Sequence, residues 1–119
     1  MAREQSNQSH TEQRRYPRVA FFGPVIVSLV PDGNSVRANA TDLSVGGVGV
    51  CSGQLLAVGQ VVTVRFLLSQ GASDVMGRVV HGRADEKGCV MGIESLRLLD
   101  ARTEPELMRR LFASSGSPE

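Results

Sequence analysis

A chain of 119 residues with 41% hydrophobic content can build one compact core and has little left for a second, so it reads as a single domain. Its formal net charge of only +1 argues against coating nucleic acid or adhering to a membrane through bulk electrostatics, and any charge effect must be local. No apolar run approaches the roughly 20 residues of a membrane span, and the leader lacks the hydrophobic segment of a signal peptide, which points to a cytoplasmic chain without membrane partners.

In chain order, residues 1–13, MAREQSNQSHTEQ, hold almost nothing that could be buried, and a flexible N-terminal tail is expected there. The next segment, Arg14-Arg15-Tyr16-Pro17-Arg18, packs three arginines into five positions. Pro17 biases Tyr16 away from helical torsions, so the segment is best described as an extended arm. In such an arm Arg14, Tyr16 and Arg18 share one face, with the two guanidinium stems about 13 Å apart at roughly 3.3 Å per residue. That span suits a ligand with several anionic or guanine-like anchor points. A solvated basic linker is the plainer reading of the arm by itself.

Beyond the arm, Val25, Val27 and Leu29 alternate with Ile26, Ser28 and Val30, the period of two expected of a strand, and Pro31 to Asn34 supply a turn. Val36, Ala38 and Ala40 alternate with Arg37, Asn39 and Thr41, ahead of the glycine-rich stretch Gly46 to Val50. Val61 to Leu68 places Val62, Val64, Phe66 and Leu68 on one face. Two further strands are expected at Val75 to Arg83 and Gly88 to Glu94. Six short strands punctuated by turn residues, with no helix between them, predict a mainly β fold. An antiparallel barrel or sandwich fits this pattern, and a six-stranded antiparallel β-barrel is the preferred form because closure best removes the edges of so small a sheet. Thr103 and Glu106 read as a capping box that opens a C-terminal α-helix, with Leu107, Met108, Leu111 and Phe112 on one stripe. Residues 114–119, SSGSPE, are expected to be disordered.

Lys87 is the sole lysine among 13 basic residues, a bias that suits planar, bidentate recognition of phosphates and base edges, although a codon preference for arginine would produce it too. Cys51 and Cys89 have no Cys-x-x-Cys spacing and no nearby histidine, so neither a zinc site nor a disulfide scaffold is supported and no metal is expected. His81 stands without a nucleophile elbow, a His-Glu-x-x-His or a paired-carboxylate motif, and no catalytic residue is assigned.

One further motif stands out. Asp42 and Ser44, two apart on a strand, would project from one face as a carboxylate acceptor and a hydroxyl, while Gly46 and Gly47 can let a ligand approach the backbone. Alone, the motif could equally be a strand-terminating turn in which both side chains bond local amides.

Taken with the arm, it resembles a known family. Arginine-x-x-x-arginine, here Arg14 to Arg18, followed by Asp-x-Ser-x-x-Gly, here Asp42, Ser44 and Gly47, is similar to the PilZ domain, a bacterial receptor for the second messenger cyclic di-GMP. The resemblance spans residues 14–113. It implies a PilZ-like six-stranded barrel with a C-terminal helix, and an arm that wraps the nucleotide against the barrel. Arg14, Arg18, Asp42, Ser44 and Gly47 carry over directly, and Arg15 and Gly46 are added as neighbours of the pattern. Where the family often reads Gly-apolar-x-Phe in the sixth strand, this chain has Gly92-Ile93-Glu94-Ser95.

The chemistry fits the ligand. Guanine N7 and O6 match an arginine fork, and its N1 and N2 hydrogens are donors that Asp42 can accept. The resulting expectation is a non-enzymatic receptor with cyclic di-GMP as ligand and no cofactor, signalling to an unidentified downstream protein, with self-association left open. Two alternatives remain: a PilZ-like protein adaptor that binds no nucleotide, and a small-barrel binder of single-stranded nucleic acid. The second is disfavoured because the phenylalanines are better explained as core than as a stacking surface.

Overall fold

The computed structural model describes residues 16–115. Six strands, β1 (Val19–Leu29), β2 (Ser35–Ser44), β3 (Gly47–Ser52), β4 (Val61–Leu68), β5 (Gly71–Asp85) and β6 (Gly88–Ser95), are followed by one helix, α1 (Pro105–Ser115). The strands close into a barrel in the order β1-β2-β3-β6-β5-β4, with every neighbouring pair antiparallel and β4 returning to β1. Closure leaves no unpaired strand edge, as expected for a sheet this small. β5 reaches past Val75 and Arg83 at both ends because its first half pairs with β4 and its second half with β6.

Period-two alternation builds the interior. Val62, Val64 and Phe66 of β4 are fully buried between outward Thr63, Arg65 and Leu67, and they meet Val25, Val27, Val50, Val79, Met91 and Ile93 from the other strands. Phe21 and Phe66 pack edge to face at 5.8 Å. The interior is filled by these side chains, so a ligand as polar as a nucleotide has to sit on the outer surface. Phe22, by contrast, is 76% exposed: β1 alternates with Phe21, Val25 and Val27 facing inward, which places Phe22 on the outer face. The expectation of a core role therefore fails for Phe22.

Two bulges set the parity of β2 and β5. In β2, Ala38 and Ala40 face inward, and uninterrupted alternation would turn Asp42 inward as well. A bulge between Ala40 and Asp42 resets the alternation, so that Asp42 faces out while Leu43 is buried. In β5 the same device acts between Val79 and His81: Val79 is fully buried, Val80 and His81 are outside, and Gly82 again lies over interior Met91.

The segment after β6 is stitched to the β2–β3 turn, the Ser95 amide donating to the Gly46 carbonyl at 2.9 Å and the Leu99 amide to the Val45 carbonyl at 2.8 Å. The helix starts one residue later than a Thr103 cap would place it. Pro105 is its first residue, suited to that position because it lacks an N–H, and the Glu104 carbonyl accepts the first helical bond from Met108. Glu104 is buried, and its carboxylate accepts from Arg97 at 2.5 Å, from the Asp100 amide at 2.8 Å and from Thr103 Oγ1 at 2.8 Å. Burial alone would push this carboxyl up, but the hydrogen bonds from Arg97, the Asp100 amide and Thr103 outweigh it and hold the group below its ordinary value. Glu106 instead pairs along the helix with Arg109 and Arg110.

Leu107, Met108 and Leu111 join the barrel core, and Arg110 lies 5.1 Å over the Phe21 ring. Phe112 is 63% exposed, contrary to its expected core role. At about 100° per residue it stands about 140° around the helix from Leu107, beyond the buried stripe.

Candidate functional site: the outer face at the β2–β3 turn

The arm and the Asp-x-Ser-x-x-Gly motif meet. Arg18, just before β1, donates from Nη1 to Asp42 Oδ1 at 3.0 Å, joining residues 24 apart in sequence. The register explains why: β1 pairs with β2 so that Ala20 stands opposite Asp42 and Val19 opposite Leu43, which carries the residues preceding β1 along the end of β2. Asp42 Oδ2 also accepts from Thr41 Oγ1 at 3.2 Å. The two side chains of the ion pair are about one-third exposed, 32% and 30%. A pair so open to water contributes only about 0.2–1 kcal/mol, so an incoming ligand can take over either partner at little cost.

Tyr16 lies against the same turn. A Cβ placed on Gly46 would stand 3.0 Å from the tyrosine ring, so the ring covers the glycine backbone. Ser44 is buried and its Oγ accepts from the Gly46 amide at 3.1 Å, the local bond anticipated for a strand-terminating turn. Asp42 differs, because its carboxylate goes to Arg18 and Thr41 rather than to a local amide. Gly47 opens β3, and a side chain there would come closer than 3.0 Å to the Ile93 backbone carbonyl, so glycine is required by the fit between β3 and β6. The structure thus brings Arg18, Asp42, Ser44, Gly46 and Gly47 into one turn region; Arg14 and Arg15 lie outside the described residues.

Two residues that sequence reasoning passed over shape the surface beside Asp42. Gly49 pairs with Asp42 across β2–β3, and a Cβ on it would stand 2.6 Å from Asp42 Oδ2; the carboxylate lies flat over the glycine. Gly49 pairs in turn with Gly92 of β6. A glycine inside a strand marks a bulge or a close approach, which was the available signal for both positions.

Away from this face, Arg65 and Asp74 form a two-point ion pair across β4 and β5, at 2.8 and 3.0 Å; its hydrogen bonds raise the Arg65 pKa and lower that of Asp74. Among the described residues no group of histidine, cysteine, aspartate and glutamate side chains could hold a metal ion, and no helix is long and apolar enough to cross a membrane.

Comparison with known proteins agrees with this architecture. The family model described as PilZ domain matches residues 12–113. Among solved structures, the PilZ domain with c-di-GMP of YcgR from Escherichia coli superposes with a TM-score of 0.65 at 19% identity, covering 87% of this chain and 92% of that one. The PilZ domain of CeSA from a cellulose-synthesizing bacterium gives 0.58 at 25% identity, covering 82% and 96%. The Bacillus subtilis inhibitor of motility, MotI/DgrA, gives 0.67 at 16% identity over 89% of this chain but 53% of its own length, so the present chain spans about half of that protein. No curated protein matches by sequence.

Proposed function

Because the chain belongs to the PilZ domain family, we propose that it is a cyclic di-GMP receptor whose N-terminal arginine arm folds over the nucleotide and passes the signal to a partner protein. The observation that carries this reading is the Arg18–Asp42 contact at 3.0 Å, which puts a guanidinium fork and a carboxylate on one outward patch.

In this reading Arg18, with Arg14 and Arg15, takes guanine N7 and O6 and the phosphates, while Asp42 accepts from guanine N1–H and N2–H. The Arg18–Asp42 pair is exchanged for these contacts, each stronger because it is made to a ligand held at several points. Ser44 and Gly46 hold the turn in shape, and Gly47 keeps β3 close against β6. Tyr16 and Pro17 restrict the arm, so that capturing the ligand with Arg14 and Arg15 also repositions the chain that precedes them. That repositioning is the output offered to a downstream protein. The chain performs no chemistry on the nucleotide; it is a receptor rather than an enzyme, working in the cytoplasm.

Calorimetric titration of the full chain with cyclic di-GMP tests the reading, with Arg18→Ala and Asp42→Ala alongside. Each variant is expected to lose about 1–3 kcal/mol, hence roughly fivefold to a hundredfold in affinity. Absence of heat, and of any shift in melting temperature at high ligand, contradicts it.

A further inference from the structure

We propose that the outer face of β1 is a docking surface for the downstream protein, and that its occupant is an amphipathic helix whose apolar stripe ends in carboxylates. The inference deepens the receptor reading and rests on it for a protein to receive the signal.

The first outward side chains of β1 are Ala20, Phe22, Pro24 and Ile26, and none of them carries a charge. Phe22, at 76%, is the most exposed large hydrophobic side chain among the described residues. Val25 pairs with Phe66, so one step along the register Pro24 stands beside Leu67 of β4, itself 42% exposed. The interior does not need these groups, because Phe21, Val25 and Val27 of the same strand already fill it. Single apolar residues are ordinary on a surface, but a contiguous run of them marks an interaction site.

The surroundings fix the chemistry of the occupant. The barrel is closed, so a partner has no strand edge to extend and must lie across the wall. Ala20 to Ile26 extends about 20 Å at roughly 3.3 Å per residue, the length of about 13 helical residues. Ile26 stands between Arg37 of β2 and Arg65 of β4. Asp74 already holds Arg65 at two points, whereas Arg37 is exposed and makes no ion pair among the described residues. A carboxylate on the end of the helix above Ile26 is the complement of Arg37. The other end of the run adjoins the nucleotide face, since Ala20 pairs with Asp42 and follows Arg18 by two residues.

A second copy of the chain fits less well. Its one helix among the described residues, α1, exposes Phe112 beside Arg109, and Arg110 is exposed too, with Glu106 alone to oppose both charges. Arg37 would repel that face.

The test introduces Phe22→p-benzoylphenylalanine, a photo-crosslinker, into the full chain in its native cells. The control is the same replacement at Val58, exposed in the loop after β3. Position 22, and not position 58, is expected to crosslink to a segment with apolar residues at i, i+4 and i+7 and an acidic end. A synthetic peptide of that segment, titrated against the purified full chain, should bind Phe22→Ala roughly tenfold or more weakly, and Arg37→Glu roughly threefold to tenfold more weakly. Exchanging the acidic residues of the peptide for arginine should restore binding to Arg37→Glu. Both variants should melt and bind cyclic di-GMP as the wild type does. The inference falls if position 22 crosslinks to another copy of this chain, to a basic or wholly polar segment, or to nothing beyond the position 58 background. It falls equally if the peptide binds Phe22→Ala unchanged, or if Phe22→Ala loses cyclic di-GMP, which would assign the ring to the nucleotide. Binding of the peptide as expected by a wild type that takes no cyclic di-GMP would remove the receptor reading alone.

Discussion

Asp42 and Gly49 stand opposite each other across β2 and β3, and the carboxylate occupies the space that any side chain at position 49 would fill, 2.6 Å from its Cβ. The absence of a side chain on β3 therefore decides where the acidic group of β2 can lie. With glycine at 49, Asp42 folds flat over β3 and still reaches Arg18.

It follows that Gly49→Ala should act on ligand binding through Asp42. The carboxylate is on a flexible, partly exposed side chain and can swing away, so the free protein should melt within a few degrees of the wild type, consistent with an effect of about 0.5–1 kcal/mol or less. Affinity for cyclic di-GMP should fall roughly tenfold, toward that of Asp42→Ala, and the Gly49→Ala/Asp42→Ala double variant should be no weaker than Asp42→Ala alone. Calorimetry on the three variants checks this.

Gly47→Ala should behave in the opposite way. The obstacle is the Ile93 backbone carbonyl rather than a mobile side chain, and β3 and β6 would have to separate to admit a methyl group. A loss of about 1–3 kcal/mol in chemical denaturation is expected before any ligand is added. A stable Gly47→Ala variant that only loses nucleotide would assign this glycine to the ligand instead of the fold.

Glu104 gives the fold a dependence on acid. Its pKa is lowered in the folded chain, so its contribution is fully present above the ordinary carboxylate range and is lost as pH falls through the depressed folded value. Denaturation at pH 7 and at pH 3 should show the wild type losing more stability than Glu104→Gln over that interval. At pH 7 the substitution should cost about 1–3 kcal/mol, because the Asp100 amide and Thr103 hydroxyl lose a charged acceptor. Equal acid sensitivity in both proteins would show that other carboxylates govern the response.

Much of the barrel is visible in residue order because β4 and the first part of β2 obey strict alternation, and no residue within them breaks the period. The places where reading by period fails are the bulges. Parity from Ala38 and Ala40 puts Asp42 inside, and nothing local announces that Thr41 is the extra residue; the pairing of β2 with β3 decides it. Phe22 and Phe112 were misplaced because hydrophobicity alone does not say which side of a strand or of a helix stripe an aromatic occupies; parity with Val25 and Val27 puts Phe22 outside. The helix start was misplaced by one residue because Glu104 serves the Asp100 turn and Arg97, a tertiary role that a local capping pattern does not express. Arg18 and Asp42 were legible as a pair through their motifs, whereas the pairing of Gly49 with Gly92 depends on β3 meeting β6, a contact between distant parts of the chain.

The most direct test of the central claim is residue-resolved NMR of the isotopically labelled full chain during titration with cyclic di-GMP. The account predicts the largest amide shifts at Arg18, Asp42 and Gly46 through Gly49, with new nuclear Overhauser contacts between guanine protons and the Arg14 to Arg18 arm. Shifts confined to the β4–β5 hairpin around Leu68 and Gly71, with the Asp42 turn unmoved, would contradict it.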